Sequence, residues 1–170
     1  MSKFKIRILE SEDWQLYKMI RLCSLKESPD SFGATYEQES LLSDSDWFSR
    51  FQPNSDVAVA LPLIAESDGH VLGLAWGLIH KSDLKTTHIY QMWVLPEARG
   101  KGVASKLLDE IKAWALNEKC SSIALSVTAS NTAAVGLYRT RGFITVGQLE
   151  ELRAGSGLYV QPMIMSFNAA

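Results

Sequence analysis

The sequence predicts a mixed α/β fold: a mostly antiparallel, mixed β-sheet of six to seven strands flanked by about four helices, in the order β-α-α-β-β-β-α-β-α-β-β. Three observations carry this reading. Apolar strand-like segments fill the middle of the chain, two of them joined by Asp68-Gly69, a strong hairpin signal. Beyond Pro96 the apolar period alternates between helix and strand. The composition, 46% hydrophobic and 21% charged over 170 residues, is that of a globular protein and excludes disorder, collagen and coiled coil. No linker-like stretch or repeat divides residues 1–170, which read as one domain.

Phe4, Ile6 and Ile8 alternate with Lys5 and Arg7 and predict the first strand. Ser11 is placed to cap a helix with Trp14, Tyr17, Ile20 and Cys23 on one side, and Pro29 lies just past its end. Residues 28–43 have weak period and read as loop and short helix. Ser45 is the expected cap of another short helix through Trp47, Phe48 and Phe51. A meander follows: Val57–Ser67, His70–Ile79 and Thr87–Val94, the last ended by Pro96, which has no N–H for the ladder. Val103, Leu107, Leu108, Ile111, Trp114 and Ala115 repeat with helical period. Ser122–Thr128 reads as a strand and Thr132–Arg141 as a helix stopped by Gly142. Phe143–Leu149 and Tyr159–Phe167 are the expected final strand pair, joined by a loop with Gly155-Ser156-Gly157.

A net charge of −2 disfavours a nucleic-acid partner. Two cysteines, Cys23 and Cys120, make neither a disulfide framework nor a four-ligand zinc site; both are expected reduced and partly buried, and no metal is expected. The N-terminal stretch lacks the apolar centre and cleavage site of a signal peptide. The apolar run Val57–Ala65 contains Pro62 and falls well short of the about 20 residues of a membrane span. The expectation is a cytoplasmic protein with no membrane partner.

The most informative stretch is Val94–Leu108, where a strand ends, a glycine-rich turn follows and a helix begins. The first N–H groups of a helix have no internal partner and sit at the positive end of its dipole. Gly100 and Gly102 let an anion approach the backbone, and Arg99 and Lys101 add positive charge. The combination suits a phosphate or pyrophosphate. A P-loop motif is absent, and the glycine spacing and mid-chain position do not fit a dinucleotide fingerprint.

Arg99-x-x-Gly102-x-Ala104, followed by Asn131-x-x-Ala134-x-x-Leu137-Tyr138-x-x-x-Gly142-Phe143, resembles the two signatures of the GNAT acyl-CoA N-acyltransferases, in their order and spacing. The resemblance spans roughly Ile6 to Phe167. It implies the GNAT fold, acetyl-CoA as co-substrate, direct transfer of acetyl to a primary amine of a small molecule, peptide or protein, and a family in which homodimers are common. Backbone amides of Arg99, Gly100, Lys101, Gly102, Val103 and Ala104, with Ser105, would bind the pyrophosphate. Met92, Trp93 and Val94 would present backbone to pantetheine at a splayed, bulged strand, with the Met92 N–H toward the thioester carbonyl. Tyr138 would be the general acid for the departing thiolate, although on its surroundings alone it also reads as a core tyrosine beside Leu137 and Phe143. Asn131 would contact coenzyme or cap its helix.

His88 is the candidate base or proton relay, four residues before Met92 and so on the same face of a regular strand. It stands where several relatives carry a glutamate, and a water chain is the alternative. His70 and His80 are expected to be solvated. The family's acceptor pocket would here hold Phe32, Tyr36, Trp47, Tyr90, Glu150, Glu151 and Arg153, with acidic and aromatic groups attracting an amine cation. A solvated loop is the plainer reading of those residues. Neither cysteine lies in the motifs, so no covalent acyl-enzyme is expected. The alternative function is an acyl-CoA sensor without turnover.

Overall fold

A computed structural model describes residues 3–51 and 57–167, so the outermost positions of the 1–170 span lie outside the described residues. Strand β1 (Lys5–Ile8) leads through a 3-10 turn into α1 (Trp14–Glu27), α2 (Tyr36–Glu39) and α3 (Asp44–Ser49). The meander is β2 (Ala58–Ser67), β3 (His70–His80) and β4 (Thr86–Val94). Then come α4 (Val103–Asn117), β5 (Ser122–Thr128), α5 (Thr132–Thr140), β6 (Ile144–Thr145), β7 (Glu150–Glu151) and β8 (Tyr159–Ser166). Among the described residues these strands form one sheet ordered β1-β2-β3-β4-β5-β8-β6, with β7 also on β8. Among the described residues only the β4–β5 pair is parallel.

The β2–β3 hairpin turns at Asp68 (φ +50°) and Gly69 (φ +79°), two successive left-handed residues whose twist matches the strands. Both strands are apolar on both faces because the sheet is covered on both sides. Leu63, Ala65 and Ala75 pack with Val103, Leu107, Leu108 and Ile111 of α4. Ile64, Leu74 and Trp76 pack with Tyr17, Ile20 and Leu25 of α1 and with Trp47. Each fully buried aliphatic side chain contributes about 1.5–3 kcal/mol. A Cβ on Gly73 would sit 3.0 Å from the Trp93 carbonyl and from Val103 Cγ1, so glycine there lets the start of α4 lie directly on the sheet.

Four local expectations are corrected. Ser11 lies inside the 3-10 turn rather than capping α1, and Asp13 instead accepts from the Glu10 N–H (2.8 Å). Ser43, not Ser45, caps α3, in a reciprocal pair with Asp46 (3.1 and 3.0 Å). Helix α1 buries Tyr17, Ile20, Arg21, Ser24 and Leu25, and Cys23 falls off that stripe and is exposed, while Cys120 is buried. The segment 143–149 pairs only at Ile144–Thr145. The Val146 N–H still reaches the Pro162 carbonyl (3.0 Å), but Gly147, at φ +64°, then turns the chain away.

The feature that shapes the site is a bulge in β4. Leu74 faces Trp93 but Trp76 faces Tyr90, so three steps on β4 answer two on β3. Gln91 takes up the difference at φ +59°, which costs a non-glycine residue about 1–2 kcal/mol. Its side chain is held by the Tyr17 hydroxyl (2.8 Å), which accepts from Arg50 Nη1 (3.0 Å). The bulge inverts the facing of the strand. Ile89 before it and Met92 and Val94 after it all pack toward α4. His88 therefore points to the opposite face from Met92, correcting the same-face expectation, which assumed a regular strand.

Candidate active site

Strands β4 and β5 pair only at Thr86–Ser122, Thr87–Ile123 and His88–Ala124. Beyond that point they part. A cleft of about 1180 Å³ opens between them, lined on one side by 89–94 and on the other by 125–128. Its walls draw on both faces of the sheet: Arg21 and Phe32 from the α1 side, Leu137 and Tyr138 from the α5 side.

One end is the turn before α4. Gly100 (φ +76°) and Gly102 (φ +86°) are left-handed, and a Cβ on either would meet no atom within 4 Å. Gly102 is the N-cap and supplies no side chain; the first helical bond runs from the Lys106 N–H to the Gly102 carbonyl (3.0 Å). The amides of Val103, Ala104 and Ser105 thus begin the helix at the cleft wall, where all three residues lie. Arg99 lines the cleft, but its charge is engaged within the protein. Its Nε donates to the Val94 carbonyl (2.9 Å) and its Nη2 to Glu27 (2.7 Å). Glu27 also accepts from Trp93 Nε1 (2.9 Å). Burial opposes ionisation of Glu27, yet the bonds from Ser28, Trp93 and Arg99 together hold it below the ordinary carboxylate range. Lys101 is exposed and outside the lining.

Along the middle, Asn131 lines the cleft while its side-chain oxygen caps α5 at the Ala134 N–H (3.1 Å). Tyr138 is 6% exposed, lines the cleft and meets Phe143 edge-on at 5.8 Å. Burial pushes its phenol up to about 12, so it holds its proton throughout the physiological range.

At the other end, His88, Tyr90, Phe32 and Glu150 all line the cleft. Tyr36 and Trp47 do not: Tyr36 lies against Lys26, and Trp47 is fully buried in the core against Tyr17. Glu151 is also outside the lining; it accepts from the Gly155 N–H. Arg153 ties the loop after β7 to the loop after α1 by donating to the carbonyls of Phe32 (2.8 Å) and Pro29 (3.3 Å). His80, expected to be solvated, is instead half-buried. Its ring is 5.1 Å from His88 and its Nε2 is 3.2 Å from the Tyr90 hydroxyl. Burial, then the neighbouring His80, lower the His88 pKa, only partly opposed by Asp83. His88 is thus a neutral imidazole at pH 7, able to accept a proton. Sequence reasoning missed Glu27, Tyr17, Arg21 and Gln91, whose partners lie far away in the chain.

An open mixed sheet whose parallel pair separates above a glycine-lined helix start defines a ligand-binding α/β class. Residues 15–143 match the acetyltransferase (GNAT) family, and the chain belongs to it. Over 82 residues it is 35% identical to a mycothiol acetyltransferase of Streptomyces griseus, a match covering 48% of this chain and 26% of that protein. Over 89 residues it is 30% identical to a thialysine N-epsilon-acetyltransferase of Mus musculus, covering 51% and 52%. The chain thus spans between a quarter and a half of the length of these curated relatives. The solved structure of yncA from Salmonella typhimurium, determined with its cofactor acetyl-CoA, shares the fold with a TM-score of 0.79 at 17% identity, covering 99% of this chain and 96% of that one. Among the described residues, no helix is long and apolar enough to cross a membrane.

Proposed function

We propose that the protein is an acetyl-CoA-dependent N-acetyltransferase that moves acetyl directly onto a primary amine. The observation that carries this reading is the separation of β4 from β5 after His88 and Ala124, opening directly onto the glycine turn of α4. Acetyl-CoA would supply the activated thioester. The open backbone at Gly100 and Gly102 fits a diphosphate, because no side chain fills the space above it. The amides of Val103–Ser105 would hold its oxygens, and Ser105 would add a hydroxyl. Arg99 shapes the turn from behind through its bonds to Val94 and Glu27.

The edge of β4 from Ile89 to Val94 has no partner on the β5 side and would pair with the amide-bearing pantetheine arm as a strand would. The Met92 N–H would face the thioester oxygen, where negative charge grows as the amine attacks; such a donor is worth about 2.7–4 kcal/mol. His88 would take the proton the amine must lose, and His80 and Tyr90 beside it would carry that proton outward. Tyr138 would give its proton to the sulfur as the C–S bond breaks. With its phenol held at about 12 that transfer is uphill, so placement rather than acidity makes it effective.

Thiol release from acetyl-CoA over a panel of amino acids, polyamines, aminoglycosides and peptides tests the reading. Amine-dependent release with a mass increase of one acetyl group on the acceptor is expected. Tight coenzyme binding with no release on any amine would contradict it.

A further inference from the structure

We infer that Arg21 anchors an oxyanion on the acceptor, so that the substrate is an amine carrying its own carboxylate or phosphonate. This rests on the proposed acetyl transfer and adds the acceptor's second pole to it.

Arg21 is 4% exposed on the inner face of α1 and lines the cleft. Its Nε donates to Glu39 (3.1 Å), but its Nη1 is buried without a hydrogen-bond partner among the described residues. A guanidinium has five N–H donors and keeps its charge in proteins, so a bare buried nitrogen is an unmet demand for an acceptor. Its carboxylate partner is also shared. Glu39 Oε1 serves both Arg21 (3.1 Å) and Arg50 (3.2 Å), one carboxylate against two guanidinium groups. Burial opposes ionisation of Glu39, but its bonds to Arg50 and Arg21 keep it in the carboxylate form. Of the other neighbours, burial holds the Tyr17 phenol above its ordinary value and Gln91 is neutral, while the Asp46 carboxylate acts on Arg50. Of the two guanidinium groups that share Glu39, Arg21 is the one that lines the cleft.

The place fits an acceptor. The Arg21 guanidinium lies 4.8 Å from the ring centre of Phe32, and Phe32 shares the cleft wall with His88, Tyr90 and Glu150. The neutral imidazole and the Glu150 carboxylate suit an amine; the free guanidinium nitrogen suits an anion. One molecule satisfying both is zwitterionic. A polyamine would set a second cation against Arg21 and leave its buried nitrogen without an acceptor.

The test compares acids with their own esters. For the wild-type protein with saturating acetyl-CoA, kcat/KM is measured for free amino acids, the matching methyl esters, the decarboxylated amines and the matching 1-aminoalkylphosphonates. The acids or phosphonates should exceed the esters and amines by about tenfold or more, mainly through KM, and the ratio between the first two identifies the anion. In Arg21→Gln and Arg21→Lys this preference should shrink toward one, with acetyl-CoA affinity unchanged by calorimetry. Esters or plain amines used as well as the acids would overturn the inference, as would a preference that persists in folded Arg21→Gln. If the variants do not fold, the wild-type acid-to-ester ratio decides alone. Absence of thiol release with every amine, by contrast, would sink the transferase reading itself.

Discussion

The two ends of the cleft are built on different principles. The end proposed for the diphosphate is mostly backbone: left-handed glycines, helix N–H groups and a strand edge unpaired on the β5 side, gathered from neighbouring stretches of chain. The end proposed for the acceptor is side chain: Arg21, Phe32, His88, Tyr90 and Glu150, from four separate parts of the sequence. Backbone sites tolerate changes of side chain but not of conformation. Side-chain sites hold their geometry only through contacts made behind them, as Tyr17, Arg50 and Glu39 do for Gln91 and Arg21. Damage at the first end should therefore appear in coenzyme affinity, and damage at the second in amine selectivity.

The largest effect is expected from Tyr138→Phe, which removes the proposed acid between the two ends. kcat should fall by about a hundredfold while acetyl-CoA affinity changes less than about twofold. Single-turnover kinetics at saturating amine would read this, and an unchanged chemical step would remove the acid role. Gly102→Val should weaken acetyl-CoA binding by about tenfold or more in calorimetry. Valine disfavours φ +86°, and its side chain would project into the open space over the turn. Unaltered affinity in the folded variant would detach the turn from the coenzyme.

His88→Gln should lower kcat/KM for the amine by about tenfold or more with little effect on coenzyme binding. The pH profile sharpens the assignment. Burial and His80 lower the His88 pKa from 6.5, so the base form is present above the lowered value and the rate should drop only as pH falls below 6.5. That acid limb should vanish in the variant; a limb that survives assigns it to another group.

The smallest effect is Glu27→Gln, expected to cost about 1 kcal/mol in urea unfolding at pH 7. Glu27 is held below its unfolded value of 4.5, so its contribution is present above that value and is lost as pH falls through the lower folded value. Wild type and variant should converge there.

This contrast also explains what could be read in the sequence. Gly100 and Gly102, the Asn131 cap and the long apolar stripe of α4 are local features, and short-range spacing exposes them. The hairpin at Asp68-Gly69 and strand β5 were legible for the same reason. The resemblance implied a bulge on this strand, but its position at Gln91 was not legible, because no local residue signals it: the left-handed backbone is held by Tyr17, brought near only by the packing of α1. The facing of His88 therefore went astray. The Arg99–Glu27 pair spans 72 positions, and the orphaned Arg21 nitrogen exists only once Glu39 is seen to be shared. Trp47 and Tyr36 carry aromatic chemistry suited to an amine, but the fold commits Trp47 to the core and leaves Tyr36 outside the cleft.

Amide hydrogen exchange, with and without saturating acetyl-CoA, tests the central claim most directly. Protection should rise in peptides covering 89–94 and 100–105, the parted strand edge and the helix start, while β1 and β2 stay unchanged. No added protection in either segment, under conditions where calorimetry shows the coenzyme bound, would contradict it.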